Sequence, residues 1–145
     1  MLGTHGLWAK MNFYQGSAQV PLLIVPPGGG IGVVDDTVVE LTDVAETITD
    51  IAGAPRLAGS RGRSLLPRVR GDTGSVRDFA YSRIQSYAAL RTERFRFTME
   101  SRSGVPCELF DMQEDPSERV NLVNDSSRRG IVSELKHELS ALQGA

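Results

Sequence analysis

A chain of 145 residues, 40% hydrophobic and 23% charged, has the composition of an ordinary globular protein and is long enough to bury about two thirds of its unfolded surface. Its formal net charge of -2 argues against a nucleic-acid-binding surface as the main activity. The sequence holds no long apolar run and no basic leader with a cleavage site, so neither a membrane span nor a signal peptide is predicted and a soluble, cytoplasmic protein is expected.

The first stretch, Gly3-Thr4-His5-Gly6-Leu7-Trp8-Ala9-Lys10-Met11-Asn12-Phe13-Tyr14, stands out by its charge, because Lys10 is the only charged side chain in the first 34 residues. A lone ammonium among aromatic residues has no carboxylate nearby in sequence, so an anion is its natural partner. The alternative is a surface lysine in an uncharged loop. From Val20 to Val25 the apolar residues do not alternate, which predicts a strand buried on both faces of a parallel sheet. Pro26 to Gly30 then breaks regular structure. No Gly-Lys-Ser/Thr follows the glycines, which excludes a phosphate-binding P-loop.

Asp35, Asp36, Glu40, Asp43, Glu46 and Asp50 form an acidic block without a basic residue. The Asp35-Asp36 pair is expected to be solvated rather than metal-binding. Asp43 and Glu46 have the spacing of a capping box, and Val44, Ile48 and Ile51 share one face of the helix that it starts and Gly53 ends. Between Arg56 and Arg70 the balance reverses, with Arg56, Arg61, Arg63, Arg68 and Arg70 and no acid. This is read as a linker that pairs with the acidic block, the alternative being an anion-binding strip. The turn-rich Gly71 to Ser75 sets a boundary between residues 1–71 and residues 72–145.

The second part has the rhythm of a small antiparallel sheet closed by a helix. Phe79 to Ile84, Tyr87 to Arg91, Phe95 to Met99 and Glu108 to Met112 are strand candidates between polar turns. Arg94 to Met99 alternates, so one face is expected wet and the other packed. Ile131, Leu135, Leu139 and Leu142 recur at helical spacing and predict an amphipathic helix over the sheet, with His137 off its stripe. Cys107 is the only cysteine, so no internal disulfide or thiolate metal site can form. It reads as a small residue opening a strand.

The segment Gly-x-His-Gly-Leu-Trp-x-Lys followed by Val-Pro-Leu-Leu-Ile resembles the end of the catalytic domain in sulfatases of the alkaline-phosphatase superfamily. It resembles the choline-sulfatase-like and phosphonate-monoester-hydrolase-like branches of that family. Three later stretches are similar to the same family in the same order. They are Val39 to Gly53, where Glu46 stands in place of a frequent proline, then Gly62-Arg63-Ser64-Leu65-Leu66-Pro67, and then Glu108-Leu109-Phe110-Asp111 with Asp115-Pro116, Glu118 and Asn121-Leu122. The resemblance implies that Lys10 contacts a sulfate or phosphonate group and that His5 lies close to the same site. It implies an α+β fold: a fragment of the alkaline-phosphatase-like α/β sulfatase fold, with a small C-terminal antiparallel sheet packed by a C-terminal helix. In that family a Cys/Ser-x-Pro-x-Arg motif supplies a formylglycine nucleophile and early Asp residues bind a divalent metal. Neither motif occurs here, so no cofactor or metal is expected in this chain, and both are implied only for a full-length relative acting on a sulfate or phosphonate ester. The expected function is the C-terminal part of a sulfuric ester hydrolase, inactive alone. The alternative is a freestanding structural or interaction domain that forms a homo-oligomer through its open sheet edge, or pairs with a separate N-terminal half.

Overall fold

The computed structural model describes residues 1–29 and 32–143. It contains helical turns α1 (Gln15–Ala18) and α3 (Leu66–Val69), helices α2 (Leu41–Ile51) and α4 (Arg129–Gln143), and strands β1 (Phe79–Ile84), β2 (Tyr87–Thr92), β3 (Phe95–Glu100) and β4 (Pro106–Asp111). The described residues fall into two compact units, one made of Met1–Val20 with the chain from Tyr81 on, the other of the chain between Pro21 and Ala80. In this grouping the first twenty residues pack with the C-terminal sheet. No helix among the described residues is long and apolar enough to cross a membrane.

The four strands form one sheet in the order β1-β2-β3-β4, within two residues at either end of where alternation and turn residues place them. β2 and β3 pair antiparallel, as do β3 and β4, in a register that sets Leu90 opposite Phe97 and Phe97 opposite Leu109. These three side chains are fully buried, a cross-strand apolar row of the kind that stabilises a sheet. α4 packs against β2, β3 and β4 and buries Leu135 and Leu139, while His137 is exposed. Beside β4, the Asn121 amide works as a short backbone mimic. Its Oδ1 accepts from Leu109 N at 3.0 Å, its Nδ2 donates to Cys107 O at 3.0 Å, and Leu122 N donates to Leu109 O at 2.8 Å.

One expectation about the sheet is overturned. Alternation along Arg94 to Met99 predicts one wet face, yet Arg96 and Thr98 are 2% and 3% exposed. The second face is covered by Tyr14 from the N-terminal segment and by Glu118, which supply partners that a buried guanidinium requires.

In the other unit, α2 is capped by Glu40, whose side chain accepts from the Asp43 backbone while Asp43 accepts from Glu40 N. The capping box therefore sits one turn earlier than Asp43 and Glu46. The most buried face of the helix is not the apolar stripe, of which Val44 and Ile51 are half-buried and Ile48 is exposed. Asp43, Glu46 and Thr47 are 0%, 2% and 3% exposed, whereas Leu41 and Ile48 are 74% and 61% exposed. Its polar face is covered by the returning chain: Arg63 N donates to Asp43 Oδ1 at 2.8 Å and Leu65 N to Thr47 Oγ1 at 2.8 Å. Only glycine allows that approach, since a Cβ on Gly62 would lie 2.3 Å from Thr42 O. Two of the five linker arginines pair with the acidic block as expected, Arg68 with Asp35 at 2.7 Å and Arg56 with Glu46 at 3.4 Å, while Arg77 joins Glu40 at 3.0 Å and also Asp43.

The run from Val20 to Val25 is not a strand. It forms no ladder, and Leu23 and Val25 are 89% and 73% exposed. An extended segment is assigned to a sheet only through hydrogen bonds to a neighbouring strand, and among the described residues none pairs with it. Gly30 of the loop that follows lies outside the described residues.

Candidate functional site

The stretch carrying the two candidate site residues folds back on itself. Leu2 and Trp8 form an isolated antiparallel bridge, Gly3 N donates to Leu7 O at 2.9 Å and Ala9 N to Met1 O at 3.0 Å. The reversal is built from left-handed backbone at Gly3 and Gly6, as glycine permits, and also at His5, Ala9 and Met11, with φ of 57°, 68° and 75°. For side-chain-bearing residues that region costs on the order of 1 kcal/mol or more each, and it persists only where the surroundings impose it.

Lys10 lies between two of these strained residues and is exposed. Among the described residues no carboxylate forms an ion pair with it. The ammonium is thus presented to solvent without a partner, as an anion contact needs. His5 is also exposed, and its ring stacks on Tyr14 with centroids 4.1 Å apart and planes 16° from parallel. No hydrogen bond or ring contact joins His5 to Lys10 among the described residues; the backbone reversal brings them into one segment, and it is Tyr14 that ties one of them to the sheet.

Behind Tyr14 sits a buried ionic cluster that the sequence reading misses. The Arg96 guanidinium lies 4.7 Å from the Tyr14 ring centroid and 4.6 Å from that of Phe110. Its Nε donates to Glu118 Oε1, and its Nη1 donates to Glu108 Oε2 at 2.7 Å and Thr98 Oγ1 at 3.1 Å. The two carboxylates also hold the N-terminal segment, Glu118 Oε2 accepting from Gln15 N at 2.8 Å and Glu108 Oε1 from the Tyr14 hydroxyl at 3.2 Å. Burial, reinforced by the Glu108 charge, pushes the Tyr14 hydroxyl above its ordinary value, so it remains a neutral donor at physiological pH. The signal in the sequence was the Arg-Phe-Arg-Phe alternation, which places Arg94 and Arg96 on one face; the β3–β4 register sets Arg96 opposite Phe110, and the alternation does not name what covers it.

A second ion pair flanks the cluster. Arg94 donates through Nε and Nη2 to Asp111 Oδ2 at 2.9 and 2.7 Å, and Asp111 is 1% exposed. The Arg94 hydrogen bonds hold the Asp111 carboxyl below its usual range. A carboxyl depressed by folding stabilises fully above its unfolded value of about 4, and that contribution is lost as pH falls through the lower folded value. Urea unfolding at pH 7, 4 and 3 is therefore expected to lose stability faster for the wild type than for Asp111→Asn. Parallel losses in the two proteins would rule this pair out as an acid-sensitive element.

No group of three or more His, Cys, Asp or Glu side chains among the described residues is arranged to hold a metal ion. Asp35, the first of the adjacent pair, is committed to Arg68 and to Thr37 N. The donor set does not fit a divalent ion, and no chemical step is assigned to one held by this chain.

A protein-family model for the C-terminal part of N-sulphoglucosamine sulphohydrolase matches residues 3–145. The choline-sulfatase of Rhizobium meliloti is 36% identical over 132 residues, which cover 86% of this chain and 25% of that protein. A sulfatase-like protein from Bacteroides thetaiotaomicron superposes with a TM-score of 0.59 at 29% identity, over 68% of this chain and 23% of its own. The phosphonate monoester hydrolase of Agrobacterium radiobacter shares the fold, with a TM-score of 0.55 at 23% identity, over 70% of this chain and 24% of its own. The chain spans about a quarter of the length of the curated relatives it matches.

Proposed function

Because the chain belongs to the family of N-sulphoglucosamine sulphohydrolase C-terminal domains, we propose that it is the part of a sulfuric ester hydrolase that brings a cation, Lys10, to the sulfate group. The observation that carries this reading is Lys10 itself, the only charged side chain in its first 34 residues, exposed and unpaired among the described residues, between two left-handed residues. An ammonium held there stabilises negative charge as it grows on the oxygens of the ester. His5 orients the leaving oxygen or gives it a proton. A phosphonate ester presents the same charge pattern and is the second substrate class.

Charge and position are all that these residues supply. No nucleophile of the Cys/Ser-x-Pro-x-Arg kind occurs in the chain, and without a nucleophile there is no covalent step. The purified chain is therefore expected to hydrolyse neither p-nitrophenyl sulfate nor a p-nitrophenyl phosphonate ester, with or without added calcium or manganese. Metal-dependent turnover by the chain alone would refute the claim of inactivity. Lys10 is tested in a chimera in which the chain replaces the matching portion of the Rhizobium choline-sulfatase. Lys10→Ala is expected to lower turnover of p-nitrophenyl sulfate about a hundredfold, the usual order for losing one charge-stabilising donor. An active chimera indifferent to Lys10→Ala would remove the residue from the site.

A second reading, a freestanding interaction domain, is favoured by the largely exposed run from Val20 to Val25, whose backbone pairs with no strand among the described residues and which offers apolar side chains to another chain. Sedimentation distinguishes the two: a stable dimer abolished by Leu23→Asp supports the interaction domain, and a monomer supports the hydrolase segment.

A further inference from the structure

We propose that Arg96, Glu118 and Tyr14 form a positioning device that holds the His5-to-Lys10 segment in its strained shape on the C-terminal sheet. The inference rests on the reading that this segment meets the anion. His5, Ala9 and Met11 adopt backbone conformations that side-chain-bearing residues leave when they are free to. The hydrogen bonds within the segment are backbone to backbone and close only its own loop. What ties it to the sheet is the chain of contacts that starts at its far end, where Phe13 is 9% exposed and where Tyr14 and Gln15 bond Glu108 and Glu118.

The contacts form a ladder of four stacked groups. The His5 ring lies on Tyr14, Tyr14 on the Arg96 guanidinium, and Arg96 on Phe110. An imidazole on one end of that ladder cannot turn freely, because the next rung is fixed on both sides. Arg96 is in turn fixed by Glu118, Glu108 and Thr98 around its planar fork, a geometry that lysine cannot reproduce. Arg96 and Glu118 are 2% and 3% exposed. Desolvating such a pair offsets most of its attraction, so an apolar pair of equal volume would serve stability as well or better. The ionic pair supplies direction instead. The left-handed Glu118, with φ of 55°, aims one carboxylate oxygen at Arg96 and the other at Gln15 N, which locks strand β3 to the residue that follows Tyr14.

The test reads the segment in the chain itself, by NMR, without substrate. The Tyr14 ring current is expected to shift the His5 ring protons upfield. Tyr14→Phe keeps the stack and should keep the shift. Glu118→Gln should lose at least half of it, and both Glu118→Gln and Tyr14→Leu, which removes the ring itself, should raise the amide mobility of residues 3–13, while the methyl signals of Leu90 and Leu139 stay in place. A His5 shift unchanged in Glu118→Gln, or an amide mobility unchanged in both variants, would overturn the proposal. So would a simultaneous loss of the core methyl shifts, which marks a cluster that only holds the fold. In the active chimera, Glu118→Gln is expected to lower kcat about tenfold with KM within about twofold, the signature of a misplaced group; a change in KM alone would also overturn it. Because the NMR readout needs no turnover, a chimera indifferent to Lys10→Ala together with a collapsed His5 shift sinks the functional reading and leaves the positioning intact.

Discussion

Arg96→Met is expected to destabilise the unit formed by Met1–Val20 and the C-terminal sheet by about 3–5 kcal/mol, the cost of removing one partner from a buried ion pair. Methionine fills much of the arginine's volume, so the loss is electrostatic rather than a cavity. Glu118, 3% exposed, would keep its charge and its bond to Gln15 N but lose the cation that compensates it. Glu108 would lose the same partner, and the Tyr14 and Phe110 rings would lose the guanidinium between them. A total stability of about 5–15 kcal/mol is normal for a domain, so this is a large fraction. Native-state hydrogen exchange reads it directly: at 3–5 kcal/mol, protection of β3 and β4 amides falls by at least about a hundredfold. A fall below about threefold would show that water or a carboxyl proton replaces Arg96 at little cost. The companion variant Glu118→Gln should cost less than Arg96→Met, because Arg96 keeps Glu108 as an anion at 2.7 Å.

Asp43→Ala is expected to cost the other unit about 3 kcal/mol. The carboxylate is fully buried and serves three partners at once: Glu40 N in the capping box, Arg63 N in the returning chain, and the Arg77 guanidinium. Losing the cap alone is worth about 1 kcal/mol, and the rest comes from leaving a buried donor unsatisfied. Arg77 retains Glu40 at 3.0 Å, which keeps the total below that of a fully orphaned charge. The exchange of α2 amides should rise by about two orders of magnitude, with β3 and β4 protection unchanged. If both sets of amides moved together, the two units would not be separate cooperative elements.

Much of this was legible in the sequence. The strands between Phe79 and Met112 declare themselves by alternation between short polar turns, their pairing partners being close in the chain, and the helix 129–143 by its Ile131, Leu135, Leu139, Leu142 stripe, which packs on β2, β3 and β4. The sulfatase resemblance, read from four short motifs in order, is borne out by the family match over residues 3–145, and the α+β fold by the sheet and helices. The pairing of the arginine-rich linker with the acidic block was also readable, because opposite charges in adjacent blocks have few other partners.

Local pattern alone determined the four strands, helices α2 and α4, their order and the family; tertiary contact decided which faces are buried. α2 carries an apolar stripe, yet its polar face is the most buried one, because Gly62 lets the returning backbone come close enough for Asp43 and Thr47 to cap its amides. Arg96 alternates as a solvent-facing residue should, yet Tyr14 and Glu118 arrive from 82 positions before it and 22 after it and enclose it. The run from Val20 to Val25 has the composition of an inner strand, and composition cannot supply the partner strand that its hydrogen bonds require. Periodicity reports what a residue prefers; burial of a charge or an exposed apolar face depends on what another part of the chain brings to it, and that is set only when the distant segments meet.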